Sequence, residues 1–202
     1  MNPDSDKKVQ RINEIIELDG GSGWVYSFIP VIRFTLFLLC FIMENVNIPI
    51  LSYADTSVFG GVFDDGFDEA SKAFFQQVKE KRFKLVISPI VQKEIELAPE
   101  NVRQFFDEIT ESANFIAIYE EALLLRQAYL DAGIVTPKST ADALHVALAT
   151  VAKCQLIVSW NFKHIVHFQK VPLYRAINTI KGYNEINIYS PPEVINYESE
   201  TI

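Results

Sequence analysis

Short apolar segments that alternate with helical segments predict a doubly wound α/β domain with three layers, α/β/α. Its central sheet is expected to be mostly parallel, with four or five strands. The predicted strands are at residues 48–54, 84–88, 115–118 and 156–159, with a weaker one at 186–189. Because ligands bind such sheets at the carboxyl ends of the strands, polar residues at those positions are the first candidates for a site.

The segments between these strands have the spacing and the ends of helices. Ala70, Phe74 and Val78 share one helical face, with charged residues opposite. Pro89 suits a first helical turn, and Gly133 is a natural helix terminator. The predicted helices are at residues 67–82, 89–97, 99–110, 120–132, 139–153 and 173–183.

The helix at residues 139–153 carries one acid, Asp142, in a sequence of Ala, Leu and Val. In one interpretation Ser139 caps the helix and Asp142 reaches back to the free amides, which forms a capping box. In the other, Asp142 lies at the edge of the core because it binds a metal ion with other acids. The position of Asp142 is compatible with both interpretations, since a helix N-terminus favours negative charge.

Composition limits the classes of function. The net charge of −8 argues mildly against a nucleic-acid-binding protein, because phosphate contacts need Lys and Arg. Residues 153–181 nevertheless contain bases and no acid, so this part of the chain can face an anion. Cys40 and Cys154 have no metal-ligand spacing and are too few for a disulfide scaffold, which favours a reducing, cytoplasmic compartment.

Residues 1–42 do not fit the α/β domain, which we place at residues 43–202. The apolar segment at 24–42 has about the length of a membrane span. It contains Pro30 and Arg33, and an Arg at the centre of a span costs about 2.5–3.5 kcal/mol.

We prefer the interpretation that translation starts at Met43 and that the preceding residues are upstream sequence. A membrane anchor, or a hydrophobic helix packed on the domain or on a partner, are the alternatives. A signal peptide fits poorly, because residues 40–42 are no small-residue cleavage site. The size of the native product on an immunoblot distinguishes these cases.

Four oxygen-bearing side chains fall at one edge of the predicted sheet: Asp55, Glu94, Asp142 and Asn161. Each alone has an ordinary explanation as a helix cap, a solvated residue or a turn residue. Together they would repel one another unless a cation lay among them, and Mg²⁺ or Mn²⁺ is the natural cation for carboxylates. Such a site can activate water and stabilise the phosphate of an in-line displacement.

Rival sites lack their sequence signatures. The chain has no G-x-G-x-x-G and no Walker A sequence, so a dinucleotide or P-loop site is unsupported. No serine has the G-x-S-x-G context of a hydrolase. His145 does not belong to an H-E-x-x-H pair, and we interpret it as a core histidine or one that supports a ligand.

Four segments then match a known family in order and approximate spacing: DTS at 55–57, SPIVQKE at 88–94, TADALH at 140–145 and SWNFKH at 159–164. Through them, residues 48–189 resemble the PIN-domain nucleases, and most closely the VapC-like toxins of type II toxin–antitoxin pairs. Each segment alone is a weak signal. The resemblance implies a PIN-like fold and a metal-dependent endoribonuclease.

In that family the equivalent acids hold Mg²⁺ or Mn²⁺, so the resemblance implies Asp55, Glu94 and Asp142 as metal ligands. Thr56 or Ser57 would support a ligand through its hydroxyl. Metal-activated water would cleave RNA (tRNA, rRNA or mRNA), leaving a 5′-phosphate and a 3′-hydroxyl. The implied partners are a small antitoxin protein and a second copy of the chain in a homodimer.

The sequence departs from the family pattern at Asn161, where Asp is frequent. We interpret this as altered metal affinity rather than lost activity, so Asn161 remains a catalytic candidate. Lys163 and His164 follow it and are predicted either to contact RNA phosphates or to lie in a solvated loop. Trp160 either stacks on a base or lies at the edge of the core. Residues 1–42 are outside the resemblance.

A second class of function remains open, a non-catalytic PIN-like module that binds RNA or a protein. Loss of the acidic residues would favour this alternative, but only position 161, the weakest of the four in the family pattern, is changed. The phenylalanines of the helices at 67–82 and 99–110 likewise either form a partner surface or fill the core.

Overall fold

The computed structural model describes residues 48–195, which contain one five-stranded sheet. Its strands are β1 (Ile50–Ala54), β2 (Phe83–Ile87), β3 (Asn114–Phe115), β4 (Leu156–Val158) and β5 (Asn187–Tyr189). Their order across the sheet is β3-β2-β1-β4-β5, and every neighbouring pair is parallel. The predicted α/β class with a parallel sheet is confirmed.

The register of the central strands places the candidate site. β1 lies between β2 and β4, with Tyr53 opposite both Val86 and Ile157. Since all the strands run the same way, the residues that follow β1, β2 and β4 meet at one edge of the sheet. The segments that begin at Asp55, Ser88 and Ser159 are therefore neighbours in space.

Eight helices connect and flank the strands of the described residues. Pro89 occupies the first turn of its helix, and Gly133, with φ of +69°, follows the end of another, both as predicted. The helices are α1 (Thr56–Gly61), α2 (Asp68–Lys79), α3 (Pro89–Ile95), α4 (Glu100–Ile109), α5 (Glu120–Asp131), α6 (Thr140–Val151), α7 (Val171–Ile180) and α8 (Pro191–Val194). None of them has the length and apolarity to cross a bilayer, and the apolar segment at 24–42 lies outside the described residues.

Helices α1 to α4 form one packed group, and aromatic rings fill the space among them. Neighbouring ring centroids are 4.8 to 5.2 Å apart. These rings, which we call the Phe cluster, belong to Phe59, Phe74, Phe75, Phe83, Phe105 and Phe106. The phenylalanines of α2 and α4 therefore fill the core, whereas Phe67, the residue before α2, is 41% exposed.

Helices α5, α6 and α7 form a second packed group with polar groups inside it. The Tyr129 hydroxyl donates to Asn178 Oδ1, and Asn178 Nδ2 donates to Thr150 Oγ1 at 3.2 Å. The Tyr174 ring packs edge-on against Tyr129, with centroids 4.8 Å apart. These four side chains, which we call the buried polar network, tie the three helices together.

The structure corrects three predictions of local structure. Thr56 begins a six-residue helix, α1, although the first helix predicted from the sequence starts at residue 67. Strand β3 is Asn114–Phe115 rather than residues 115–118. Ser139 makes no side-chain cap on α6, so the predicted capping box is wrong. Ser139 ends a 3₁₀ turn with ψ of 29°, which is not the extended conformation of a capping residue.

Candidate metal centre

Asp55 directly follows β1 and is fixed by the neighbouring strand. Its backbone N–H donates to the Val158 carbonyl at 3.0 Å. Its Oδ2 accepts hydrogen bonds from the hydroxyls of Ser57 and Ser159, both at 2.7 Å. Asp55 is only 5% exposed and its side chain does not cap α1. The carboxylate is thereby held inside the edge of the sheet, with its second oxygen, Oδ1, 3.9 Å from His145 Nε2.

Glu94 reaches the same edge from the last turn of α3. Its Oε2 accepts a hydrogen bond from the Thr56 hydroxyl, and its Oε1 lies 3.4 Å from His145 Nε2. The Glu94 side chain is 37% exposed, so the site meets solvent at Glu94. Thr56 thus holds Glu94 while its neighbour Ser57 holds Asp55.

His145 projects from α6 between these two acids and is 2% exposed. Its Nδ1 lies 2.8 Å from the Tyr53 hydroxyl, which in turn lies 2.6 Å from Ser88 Oγ. Ser88 caps α3 by accepting from the Val91 N–H. The imidazole is therefore oriented by β1 and by the start of α3, with Nε2 toward the acids.

Opposing effects act on the ionisation of this pair. Burial lowers the pKa of His145, but the hydrogen bond with Glu94 and the charges of Asp55, Glu94 and Asp142 raise it above 6.5. Burial raises the pKa of Glu94, but the hydrogen bond and charge of His145 and the hydrogen bond from Thr56 lower it below 4.5. Each group therefore stabilises the charged form of the other.

One ligand atom each of Asp55, Glu94 and His145 lie within 4.8 Å of one another. Two carboxylates this close repel each other, and either a protonated His145 or a bound cation relieves that repulsion. Carboxylate oxygens suit Mg²⁺ and Mn²⁺, and the imidazole nitrogen suits Mn²⁺ better than Mg²⁺. The donor set therefore fits a divalent cation.

Asp142 and Asn161 adjoin this group. Asn161 Nδ2 donates to Asp142 Oδ1 at 2.6 Å, and Asn161 Oδ1 accepts from the His164 N–H at 3.0 Å. The Asn161 N–H donates to Ser159 Oγ, the hydroxyl that also binds Asp55. Asp142 acts on His145 by its charge but is not one of the three residues within 4.8 Å. Its assignment as a metal ligand stays a prediction.

Trp160 lies beside these residues at the edge of the core. Its ring centroid is 4.8 Å from that of Phe67, and its Nε1 donates to Ser71 Oγ at 2.9 Å. A Cβ at Gly61 would lie 2.7 Å from both Ser71 Oγ and Trp160 Nε1, so this close approach requires glycine. Packing, rather than base stacking, accounts for the position of the indole.

The two residues predicted to contact phosphate lie on the loop after β4. Lys163 is exposed, and His164 is partly buried, with Nδ1 3.2 Å from Ser139 Oγ and 3.2 Å from Lys170 Nζ. Burial lowers the pKa of His164, Asp142 raises it, and the positive charges of Lys170 and Lys163 lower it, with a net result below 6.5. A positive cluster therefore lies next to the acidic one.

The prediction that His145 lies in the core or supports a ligand agrees with its 2% exposure and its 3.4 Å distance from Glu94 Oε1, but its membership of the compact group was not predicted. A usable signal existed, because residues three apart on a helix share a face and His145 is three residues after Asp142. Tyr53, which orients His145, was not singled out. It lies inside a buried strand and gave no sign of a polar role.

No protein-family model matches the sequence, and no curated protein matches it. Among solved structures, the chain is similar to VapBC2 from Rickettsia felis bound to a DNA fragment from its promoter. That match has a TM-score of 0.47 and 10% identity over 70% of this chain and 98% of the other. A toxin–antitoxin complex from Klebsiella pneumoniae matches with a TM-score of 0.45 and 16% identity, over 59% and 93% of the two chains.

Proposed function

We propose that this chain is a metal-dependent endoribonuclease that acts as the toxin of a toxin–antitoxin pair. The observation that carries the proposal is the group formed by Asp55, Glu94 and His145 at the carboxyl edge of the sheet. It coincides with the segments through which the sequence resembles PIN-domain nucleases. Asp55 and His145 are both almost fully buried, and burying ionisable groups is costly for stability, which is typical of a site kept for function.

Asp55 and Glu94 would hold the Mg²⁺ or Mn²⁺ ion, with Asp142 as the third acid. A divalent cation bound to such carboxylates would activate water and neutralise charge on a phosphate. Two hydroxyls keep Asp55 in place, and the Thr56 hydroxyl keeps Glu94 in place. The acids are thus oriented before any substrate arrives, which lowers the reorganisation that the reaction needs.

Asn161 has a positioning role in this proposal. Its amide donates to Asp142 and its carbonyl oxygen accepts from the backbone of the basic loop. An Asp at this position could not donate to Asp142, and would add a fourth negative charge. Asn161 therefore makes the site less negative than an Asp would and keeps Asp142 in place. The next residues along the loop, Lys163 and His164, would contact RNA phosphates.

The partners follow from the same proposal. The substrate would be RNA (tRNA, rRNA or mRNA), and a small antitoxin protein would keep the cytoplasmic enzyme silent, with the chain acting as a homodimer. These partners rest on the resemblance of the sequence segments. A small reading frame next to this gene, whose product binds the purified chain, would support the toxin role.

The test is RNA cleavage by the purified chain with Mg²⁺, with Mn²⁺ and with a chelator. Asp55→Asn, Glu94→Gln and Asp142→Asn are each expected to lower the cleavage rate at least about a hundredfold. Calorimetric titration with Mn²⁺ should show weaker binding in the same variants. Asp107→Asn, an exposed acid of α4, is the matched control and should leave both properties unchanged.

Two results would contradict the proposal in different ways. Wild-type rates in Asp142→Asn would remove that residue from the site. RNA binding without cleavage in any divalent metal would instead support a non-catalytic binding module.

A further inference from the structure

Lys170, the residue before α7, has its ammonium group held in one place. Lys170 Nζ donates to the Lys163 carbonyl at 3.2 Å and lies 3.2 Å from His164 Nδ1. Lysine side chains usually lose considerable rotamer freedom when they bind a ligand. Here much of that loss has already occurred, so the ammonium is pre-organised.

The held ammonium belongs to a cluster that continues into the acidic site. His164 Nδ1 also lies 3.2 Å from the buried Ser139 hydroxyl, and the His164 N–H donates to Asn161 Oδ1. Asn161 in turn donates to Asp142. Three short contacts therefore connect Lys170 to the acids at the carboxyl edge of the sheet.

Among the described residues, no carboxylate forms an ion pair with this cluster. Lys72 pairs with Asp68, and Lys79 pairs with Glu108. Lys170, by contrast, has no carboxylate partner within residues 48–195, and residues 153–181 contain no acid at all. An unneutralised ammonium next to a hydroxyl and an imidazole is a suitable site for a phosphate.

We propose that Lys170, with the Ser139 hydroxyl and His164, binds an RNA phosphate next to the scissile one. This inference rests on the proposed ribonuclease function and assigns the main phosphate contact to a residue outside the resembling segments. Lys163, although nearer in sequence to the acids, is exposed, and only its carbonyl enters the cluster. Lys170 therefore contributes more to RNA binding than Lys163.

The experiment measures the affinity of the full chain for a labelled single-stranded RNA at several salt concentrations, with a chelator present so that no cleavage occurs. Lys170→Gln should bind on the order of threefold to tenfold more weakly at low salt. It should also reduce the slope of log affinity against log salt by about 0.7, the value for one phosphate contact on a single strand. Lys163→Gln should change both quantities less, and Lys170→Arg should restore both.

Lys181→Gln is the matched control, because Lys181 is exposed at the other end of α7 and belongs to the same acid-free stretch. It should bind like wild type. Thermal melting of each variant tests folding, and Lys170→Met, which keeps the aliphatic stem, provides a second uncharged variant. If neither uncharged variant folds, Lys170 is a structural residue and the inference is wrong.

The remaining outcomes separate the two proposals. A wild-type slope in Lys170→Gln, or an equal loss in Lys163→Gln, overturns the inference while leaving the ribonuclease function intact. A wild-type chain that neither binds nor cleaves RNA overturns the proposed function and the inference together.

Discussion

The two helix groups are filled by different chemistry. The Phe cluster joins α1, α2 and α4 by ring-to-ring contacts without hydrogen bonds between the rings. The group of α5, α6 and α7 is held by the buried polar network, in which the hydroxyl of Tyr129 and the amide of Asn178 have defined partners. His145, also on α6, continues this use of buried polar groups into the candidate site.

The difference is between non-directional and directional stabilisation. Apolar burial contributes free energy in proportion to area and tolerates small displacements. A buried hydrogen bond contributes less net free energy but fixes relative positions, because an unpaired group is costly. We infer that the Phe cluster supplies stability, whereas the polar group aligns α6, which carries Asp142 and His145, against β1.

The largest expected effect is in the Phe cluster. Phe75 is 2% exposed and its ring contacts those of Phe59, Phe74 and Phe105. Phe75→Ala should lower the free energy of unfolding by about 3–5 kcal/mol, through lost burial and the cavity left behind. Urea denaturation measures this change. Phe168→Ala, at a ring that is 79% exposed, is the control and should change stability by less than about 0.5 kcal/mol.

A smaller effect is expected in the buried polar network. Tyr129→Phe removes one hydroxyl and leaves Asn178 Oδ1 without its donor, so unfolding should become easier by about 1–3 kcal/mol. The same denaturation experiment measures it, with Tyr119→Phe at an exposed tyrosine as control. If the loss equals that of Phe75→Ala, the contrast between the two groups would be refuted.

The smallest effect is the dependence of stability on pH in the metal-free chain. The folded-state pKa of His145 is raised above 6.5, so its contribution is complete below that pH and is lost as pH rises through the raised value. The pKa of Glu94 is lowered below 4.5, so its contribution is present above 4.5 and is lost as pH falls through the lowered value.

Urea denaturation in a chelator should therefore show lower stability at about pH 8 than at about pH 6. His145→Asn should reduce this slope, and His164→Asn, at a histidine whose pKa is lowered, should not. A slope that is unchanged in His145→Asn would mean that the pair with Glu94 contributes nothing to it.

The sequence allowed the sheet to be predicted because its central strands are mostly buried and mostly apolar. β1 and β4 end where a polar residue follows, so Asp55 and Asn161 could be placed at one edge before the structure was known. β3 could not be placed in the same way, since both its residues are exposed and its two-residue length is set by pairing with β2. α1 was missed because six residues with two glycines show no helical period.

The candidate site was only partly predictable for a related reason. The acids were visible as charged residues next to apolar segments. The role of His145 depends instead on Tyr53, which lies 92 residues earlier in the chain, and on Ser88 behind it. Such contacts leave no periodic pattern in the sequence, and the same is true of the contact between Ser139 and His164 that replaced the expected helix cap.

The hydrogen bond from Ser159 to Asp55 joins residues 104 positions apart. Asp55 is among the first of the described residues to be synthesised, but its two side-chain hydrogen bonds are complete only after Ser159 has been added and β4 has paired with β1. Long-range parallel pairing is slow compared with helix formation. An unfinished chain on the ribosome would therefore lack the assembled acidic group until Ser159 has been made and β4 has paired with β1.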